Sequence, residues 1–542
     1  MISNVLAQLA IPEQFVHPYG SFAAKIDPAL LNEARKREGT NRLVLVSAIT
    51  PTPAGEGKTT TTIGLGDAMV RRGASVCLAL REPSLGPCFG MKGGGTGGGK
   101  AQLTPSDRIN LHFTGDFHAI TSAHNLLSAA LDNHLHFGNE LEIEPRTVLW
   151  KRVIDMNDRS LRNVTVGLGG KPHGVPRETG FDITAASELM AILCLAENEN
   201  DLQERIERII VGLNRAGEPV RAAQLKVTGA MMALLGDARM PNLVQTSEGA
   251  PAMVHGGPFA NIAHGCNSVL ATRAARHVAD WTVTEAGFGF DLGGEKFFDI
   301  KCRSAGINPS AVVLVASARA LKMHGGVAVA ELGESNPGAV EKGFANLEKH
   351  VESILRFGQR PVIAINRFPS DTDEELAVIK SFCSARDLPC AEAKHFAEGG
   401  AGALELADLV MQNAVADPGP PMALYELSDP FHEKVEKVAR AMYGARDVHF
   451  TADAEKDLLQ VKRLGLEGLP ICVAKTQSSL SDDPKRPGRP TDFDITVRGL
   501  EINAGAGFVV VLTGDLMRMP GLPRSPQAER IFFADGQVQG LQ

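Results

Sequence analysis

Aromatic side chains are scarce, at 5% of 542 residues, so a phenylalanine set among glycines carries more information here than in an aromatic-rich chain. The eight cysteines lie at 77, 88, 194, 266, 302, 383, 390 and 472, with no C-x-x-C pair and no metal-ligand spacing. That excludes a disulfide framework or a zinc site and favours a reduced, cytoplasmic setting. Met1 to Val16 has no basic segment followed by an apolar run, and the longest apolar stretches, Phe508 to Leu512 and Ala311 to Ala316, are far too short to span a bilayer. The expectation is a soluble, unprocessed protein. Long runs of one charge are also missing: 55 basic and 63 acidic residues leave a net charge of -8, which argues against nucleic-acid and membrane partners. An anionic substrate would need a local positive site.

Apolar residues make up 44% and charged residues 22%, an ordinary globular balance. At roughly 100 to 200 residues per domain the chain should hold about three domains. Arg42 to Ile49 is almost continuously apolar, the pattern of a strand buried on both faces of a parallel sheet. A Pro/Gly turn follows, then a helix over 58–72 and a second buried strand over 74–80, together about the length of a βαβ unit. Further helices are expected at 117–135, 183–197 and 264–279, and strands at 163–167, 281–285, 311–317 and 361–366. Val340, Phe344, Leu347, Val351 and Ile354 recur at helical spacing, predicting a helix over 338–357 that braces one domain against another. D-P-G-P-P-M (417–422) reads as a linker, with alternating strands beyond it at 493–513. The expected fold class is α/β: a P-loop NTPase-like, doubly wound, mostly parallel sheet in a large domain over 1–305, then two smaller α/β domains over 306–420 and 421–542.

Thr52, Pro53, Ala54, Gly55, Glu56, Gly57, Lys58 and Thr59 spell T-P-A-G-E-G-K-T between that strand and that helix, the context a phosphate loop requires. Its backbone N–H groups and the positive helix end would hold phosphates, with Lys58 on the terminal phosphate and Thr59 helping to coordinate magnesium. Thr60 joins the expected nucleotide contacts. Thr52 replaces the first glycine of the usual pattern, so the reading rests on context as much as on letters; the competing reading is a capped turn. Gly64-Leu65-Gly66 and Gly287-Phe288-Gly289 do not complete a dinucleotide fingerprint.

R-E-P-S-L-G-P (81–87) places Arg81 and Glu82 at a strand's carboxyl end, where open α/β sheets bind ligands. Arg81 can clamp a carboxylate or acyl phosphate with two parallel bonds, or merely pair with Glu82. K-G-G-G-T-G-G-G-K (92–100) is either a flexible loop or a cationic lid over phosphates.

With H-F-T-G-D (112–116), V-P-R-E-T-G-F-D-I (175–183), H-G-G-P-F-A-N-I-A-H-G-C-N-S (255–268), T-E-A-G-F-G (284–289) and A-K-T-Q (474–477) in the same order, the chain resembles the formate-tetrahydrofolate ligase family over nearly its whole length. The resemblance implies a homotetramer that joins formate to tetrahydrofolate with MgATP, through formyl phosphate, activated by a monovalent cation such as potassium or ammonium. It implies that Arg81 holds formate and the acyl phosphate, that Phe288 and Phe396 sandwich the pterin ring beside Gly399 and Gly400, and that Lys58 and Thr59 serve nucleotide and magnesium. Family members often carry Trp where Phe396 stands and Tyr where Lys100 stands; the first change reduces stacking area.

Formate has no good leaving group until it is phosphorylated, and that step is mainly alignment and charge neutralisation by Lys58, magnesium and Arg81. After the folate amine attacks, its proton goes to Asp116, His112 or the departing phosphate. Asp116 could instead cap the helix that follows. His112, His118 and His124 recur every six residues and do not share a helical face for a metal. Asn366 could meet a purine edge or be a turn residue. The rival to a ligase is a P-loop ATPase switch or metal-insertion chaperone, which gives Arg81 and the two phenylalanines no role.

Overall fold

The computed structural model describes residues 2–35, 41–53, 55–514 and 516–541. Alternation along Arg42–Ala48 sends Leu43 and Leu45 to one side of a sheet and Val44 and Val46 to the other, all four fully buried. Leu43 and Leu45 pack into the core that includes the helix Pro337–Leu355, whereas Val44 and Val46 pack into the core that includes the helix Lys58–Arg71. A strand covered on both faces must be apolar throughout, which is why it lacks the polar alternation of an exposed sheet.

The result is a mixed α/β protein organised on one 12-stranded, mostly parallel sheet. Its parallel part runs Pro251–Val254, Val76–Leu80, Trp281–Glu285, Arg42–Ala48, Ala311–Ala316, Pro361–Asn366, Cys390–Ala393. Antiparallel strands at Asn242–Thr246, Ala23–Ile26 and Val16–Tyr19 continue one edge. Among the described residues no helix is long and apolar enough to cross a membrane.

Several expectations change in detail. The strands 42–48 and 76–80 are not neighbours, because Trp281–Glu285 lies between them. The expected strand at 163–167 forms over Val164–Val166 but pairs only with Arg177–Thr179, in a ribbon apart from the main sheet. The helix expected from 264 starts at Val269, where the Ser268 hydroxyl caps it by accepting from the Ala271 N–H at 2.9 Å. Ala311–Ala316 pairs directly with Arg42–Ala48, so strands before and after residue 305 belong to one sheet.

Residues beyond 421 build smaller sheets, Asp447–Phe450 with Asp494–Val497, and Ile471–Ala474 with Phe508–Leu512 and Gly499–Asn503. Ile471, Val473, Val509 and Val511 enter the same core as Leu43 and Leu45. The helix Pro337–Leu355 lies between this segment and the sheet: Val340, Leu347 and Ile354 are buried, and Lys349 Nζ donates to the Ala441 carbonyl at 2.5 Å.

The same helix crosses Ala318–His324 so closely that a Cβ on Gly343 would lie 2.0 Å from the Leu321 carbonyl oxygen. Gly343→Ala should therefore destabilise the fold by about 1–3 kcal/mol, as overpacked cores do, and lower the thermal midpoint by a few degrees. An unchanged midpoint would mean that the helices separate without cost.

Candidate active site

The T-P-A-G-E-G-K-T turn leaves the central strand at its carboxyl end and enters the helix Lys58–Arg71 through Gly57, which adopts a left-handed φ of 72° as N-cap. Ala54 lies outside the described residues. Thr52 stands where a glycine is usual, and the turn is closed by a side chain: the Thr52 N–H donates to Glu56 Oε1 at 2.8 Å, and the Ser317 hydroxyl donates to Glu56 Oε2. Glu56 is almost fully buried, with 1% exposure, and its carboxylate is engaged in building the loop. Asn366 Nδ2 donates to the Glu56 carbonyl at 3.0 Å. The amide expected at a purine edge or a turn is thus spent holding the loop from a strand two places along the sheet. Pro53 is exposed, Gly55 is half-buried, and Thr60 sits in the helix's first turn.

Glu285 ends the strand beside the loop's own strand and is 3% exposed. Its Oε2 accepts from the Thr59 hydroxyl at 2.7 Å, and its Oε1 lies 3.7 Å from Arg81 Nε. The carboxylate beside Arg81 is therefore Glu285; the adjacent Glu82 turns inward instead. The T-E-A-G-F-G motif contains Glu285, and its role follows only from the tertiary structure. Its signal was an acid terminating an apolar run, W-T-V-T-E, next to a loop strand. Removal from water pushes Lys58 down to about 8, and Arg81 adds to that, against the opposing pull of Glu285. Lys92, exposed at the cleft mouth, is also pushed to about 8 by the surrounding protein and then by Arg81 and Lys58. Three cations thus gather around Glu285, with Glu56 and Asp291 adding their charge at Lys58, and an anion between them would restore full charge to both lysines.

Phe288 projects from a turn packed too closely for larger residues. A Cβ on Gly287 would meet Ala260 Cβ at 2.6 Å and Arg81 Nη1 at 3.0 Å, and one on Gly293 would meet the Gly287 oxygen at 1.9 Å. Phe288 itself takes a φ of +55°, a strained setting of about 1–3 kcal/mol that persists only where the surroundings enforce it. Part of that enforcement is the buried Asp291–Lys475 ion pair at 2.9 Å, which gives a structural purpose to the A-K-T-Q segment. Phe396 is 54% exposed on the far side of the glycine cluster. That cluster is not a free loop: Gly97–Gly98 pairs with Ala101–Gln102, and the Gly95 N–H donates to Asn110 Oδ1 at 2.6 Å. Gly399 and Gly400 bring the Phe396 loop down onto the loop helix. A Cβ on Gly400 would lie 2.8 Å from the Asp67 carbonyl carbon, and the Gly400 N–H donates to Glu248 Oε1 at 2.9 Å.

Beneath Arg81 lies a buried acidic layer. Asp116 accepts from Lys25 Nζ at 2.7 Å and from Asn242 Nδ2 at 2.7 Å, and Gly115, not Asp116, is the N-cap of the helix Asp116–His136. Burial, then the Asp116 charge, pushes the Glu82 carboxyl well above its usual range, while Lys25 opposes this. His112 is exposed ahead of that helix, and His124 is buried within it, stacked on Trp150 at 4.0 Å.

An α/β enzyme is defined by this arrangement, with a cationic cleft at the carboxyl ends of adjacent parallel strands and an aromatic on either side of a glycine strap. The family model described as formate-tetrahydrofolate ligase matches residues 1–542. The enzyme of that name from Methylobacterium sp. (strain 4-46) is 54% identical over 544 residues, covering 100% of this chain and 97% of the relative. The one from Zymomonas mobilis is also 54% identical over 544 residues, with the same coverage. The chain belongs to the formate-tetrahydrofolate ligase family.

Because Lys58 sits near 8, raising the pH above that value discharges it in the free protein, and a nucleotide anion must then be bound with proton uptake. Affinity for MgADP should fall about tenfold or more between pH 7.5 and 9.5, and Lys58→Arg should shrink the loss because a guanidinium stays charged. Calorimetric titration at the two pH values checks this; equal affinities would remove the Lys58 ammonium from nucleotide binding.

Proposed function

We propose that the cleft of Lys58, Arg81 and Glu285 carries out the reaction of this ligase family, ATP-dependent joining of formate to tetrahydrofolate, by way of formyl phosphate. The observation that carries the reading is the convergence of Lys58 and Arg81 on the loop whose Thr59 is bonded to Glu285.

The nucleotide phosphates would lie along the T-P-A-G-E-G-K-T turn, Ala54 included, against the N–H groups of the helix start. Thr59 and Glu285 present oxygen donors, which suit magnesium, and the ion supplies charge neutralisation to the phosphates when bound. Arg81 would hold formate so that one of its oxygens faces the terminal phosphorus. That oxygen attacks, the bond to ADP breaks, and Lys58 balances the charge carried across. The folate amine then attacks the formyl carbon and phosphate leaves. The amine proton passes to the departing phosphate, to His112 or to Asp116. Of these, Asp116 is already engaged with Lys25 and Asn242, which favours the other two. Phe288 and Phe396 offer flat apolar faces for the pterin, with Gly399 and Gly400 supporting the second. Glu82 would act from beneath as a buried partner of Arg81's backbone segment.

The wider reading is a P-loop-type fold of three domains, bounded near 305 and 420, the first two sharing the central sheet, together with a cytoplasmic setting, a homotetramer and activation by potassium or ammonium. Free cysteines throughout the described residues support the reduced setting. Exposed Phe137 and Phe533, at 74% and 73%, support burial between subunits.

Arg81→Ala should lower ligation at least about 100-fold, the scale of losing a charge-stabilising group, while MgATP still binds; turnover with formate and tetrahydrofolate alongside nucleotide titration checks it, and undiminished turnover would remove Arg81 from the mechanism. Phe288→Ala should raise the KM for tetrahydrofolate about tenfold, as lost stacking of 1–2 kcal/mol implies, with little change in the KM for ATP. Equal effects on both substrates would count against stacking.

A further inference from the structure

The segment from Lys92 to Lys100 links the two aromatic residues. At one end the Lys92 ammonium lies 4.8 Å from the centroid of the Phe288 ring. At the other, the Lys100 N–H donates to the Phe396 carbonyl at 2.9 Å, and a Cβ on Gly99 would lie 2.1 Å from that oxygen. Backbone contact fixes both ends, since the Lys92 N–H donates to the Pro87 carbonyl at 3.3 Å, whereas the Lys92 ammonium is held to Phe288 by one soft contact.

Among the described residues Lys92 Nζ makes no hydrogen bond and no ion pair. Its neighbours in charge are Arg81 and Lys58, which repel it, with Glu285 as the opposing charge. A solvent-reached cation on a phenylalanine face is only weakly held. Lys92 is exposed and Phe288 half-buried, and the ammonium covers one face of the ring. The other side of the turn is filled by Gly287 and Gly293 backbone. A pterin stacking on the covered face must displace the ammonium. Gly93, next in the chain, has a φ of +71°, and the backbone around it is bonded, the Gly94 N–H to the Leu541 carbonyl at 2.9 Å and the Gly95 N–H to Asn110 Oδ1 at 2.6 Å, so the movement falls on the flexible four-carbon side chain of Lys92.

We propose that Lys92 is a catalytic residue of formyl transfer: folate stacking on Phe288 lifts its ammonium from the ring, and the ammonium then binds the departing phosphate beside Arg81 and Lys58. The inference rests on the assignment of Phe288 and Arg81 made above. In the step concerned, the amine lone pair forms the N–C bond to the formyl carbon, and the bond from that carbon to the bridging oxygen breaks. The electron pair leaves with phosphate, and the proton on nitrogen passes to that phosphate. Lys92 stays protonated throughout and donates to the phosphate oxygens as their charge grows. A third cation would be repelled from the resting site, but it is useful when leaving-group charge develops, which is the condition for raising rate and not merely affinity. Folate arrival and the delivery of that cation become one event.

The test is steady-state kinetics of the full-length enzyme with Lys92→Gln and Lys92→Arg. For Lys92→Gln, kcat should fall about 100-fold, while the KM for tetrahydrofolate falls about threefold because the pterin no longer competes with an ammonium for the ring. The KM for ATP should stay within about twofold. Lys92→Arg should recover kcat to within about tenfold of wild type, since it keeps the charge. Formate-dependent ADP release with hydroxylamine replacing folate as formyl acceptor should survive in Lys92→Gln. An unchanged kcat would overturn the proposal. So would a raised folate KM at full kcat, which would make Lys92 a simple folate contact, or a parallel rise in the ATP KM, which would make it a nucleotide contact. If the wild type itself released no ADP in response to formate and folate, the ligase assignment would fall and this one with it; intact wild-type turnover with normal kcat in Lys92→Gln would sink only the role of Lys92.

Discussion

Like charges repel, so Lys58, Arg81 and Lys92 can converge only because each is fixed to backbone that is secured elsewhere. Lys58 opens a helix, Arg81 follows a buried strand, and Lys92 follows the short helix Leu85–Phe89. Glu285, itself engaged by Thr59, is the carboxylate that offsets all three, and Glu56 and Asp291 add to it at Lys58. The excess positive charge lowers the proton affinity of both lysines, and it makes the cleft a receptor for a multiply charged anion in a protein whose overall charge is -8. The acidic surplus lies elsewhere on the molecule; the cleft inverts it locally.

The second constraint is the turn that carries Phe288. Its left-handed backbone is held by glycine-to-backbone packing on one side and by the buried Asp291–Lys475 pair on the other. Breaking a buried pair by removing one partner costs about 3–5 kcal/mol, enough to outweigh the strain of about 1–3 kcal/mol at one residue. Residues beyond 421 therefore take part in the site without lining it. Their strands share the core of the central sheet, and Lys475 follows directly on one of them, Ile471–Ala474.

Much of this was legible in the order of residues. The strand 42–48, the loop helix, the strand 281–285 and the helix 337–355 are all visible as apolar periodicity, because each owes its form to faces buried along its own length. Arg81 could be singled out because strand ends bind ligands in open sheets. Glu285 and Lys92 were passed over individually. An acid or a lysine has no local pattern that reveals its neighbours, and theirs come from segments far apart in the chain: Glu285 meets Thr59 across 226 residues. The Asn366 amide was read toward a ligand or a turn, yet it bonds to Glu56 O 310 positions away.

What the chain determined by itself is local: which stretches are strand or helix, where glycine and proline turn the backbone, and the ordered motifs that identify the family. Tertiary structure alone decided the order of strands, the insertion of Trp281–Glu285 between two sequential neighbours, and the continuity of one sheet through residue 305. It also decided that Glu56 closes the loop that Thr52 left without its glycine, and that Lys92 rests on Phe288. The reason is physical: burial periodicity depends on a residue's neighbours along the chain, whereas strand pairing, charge convergence and ring contact depend on which distant segments the core brings together.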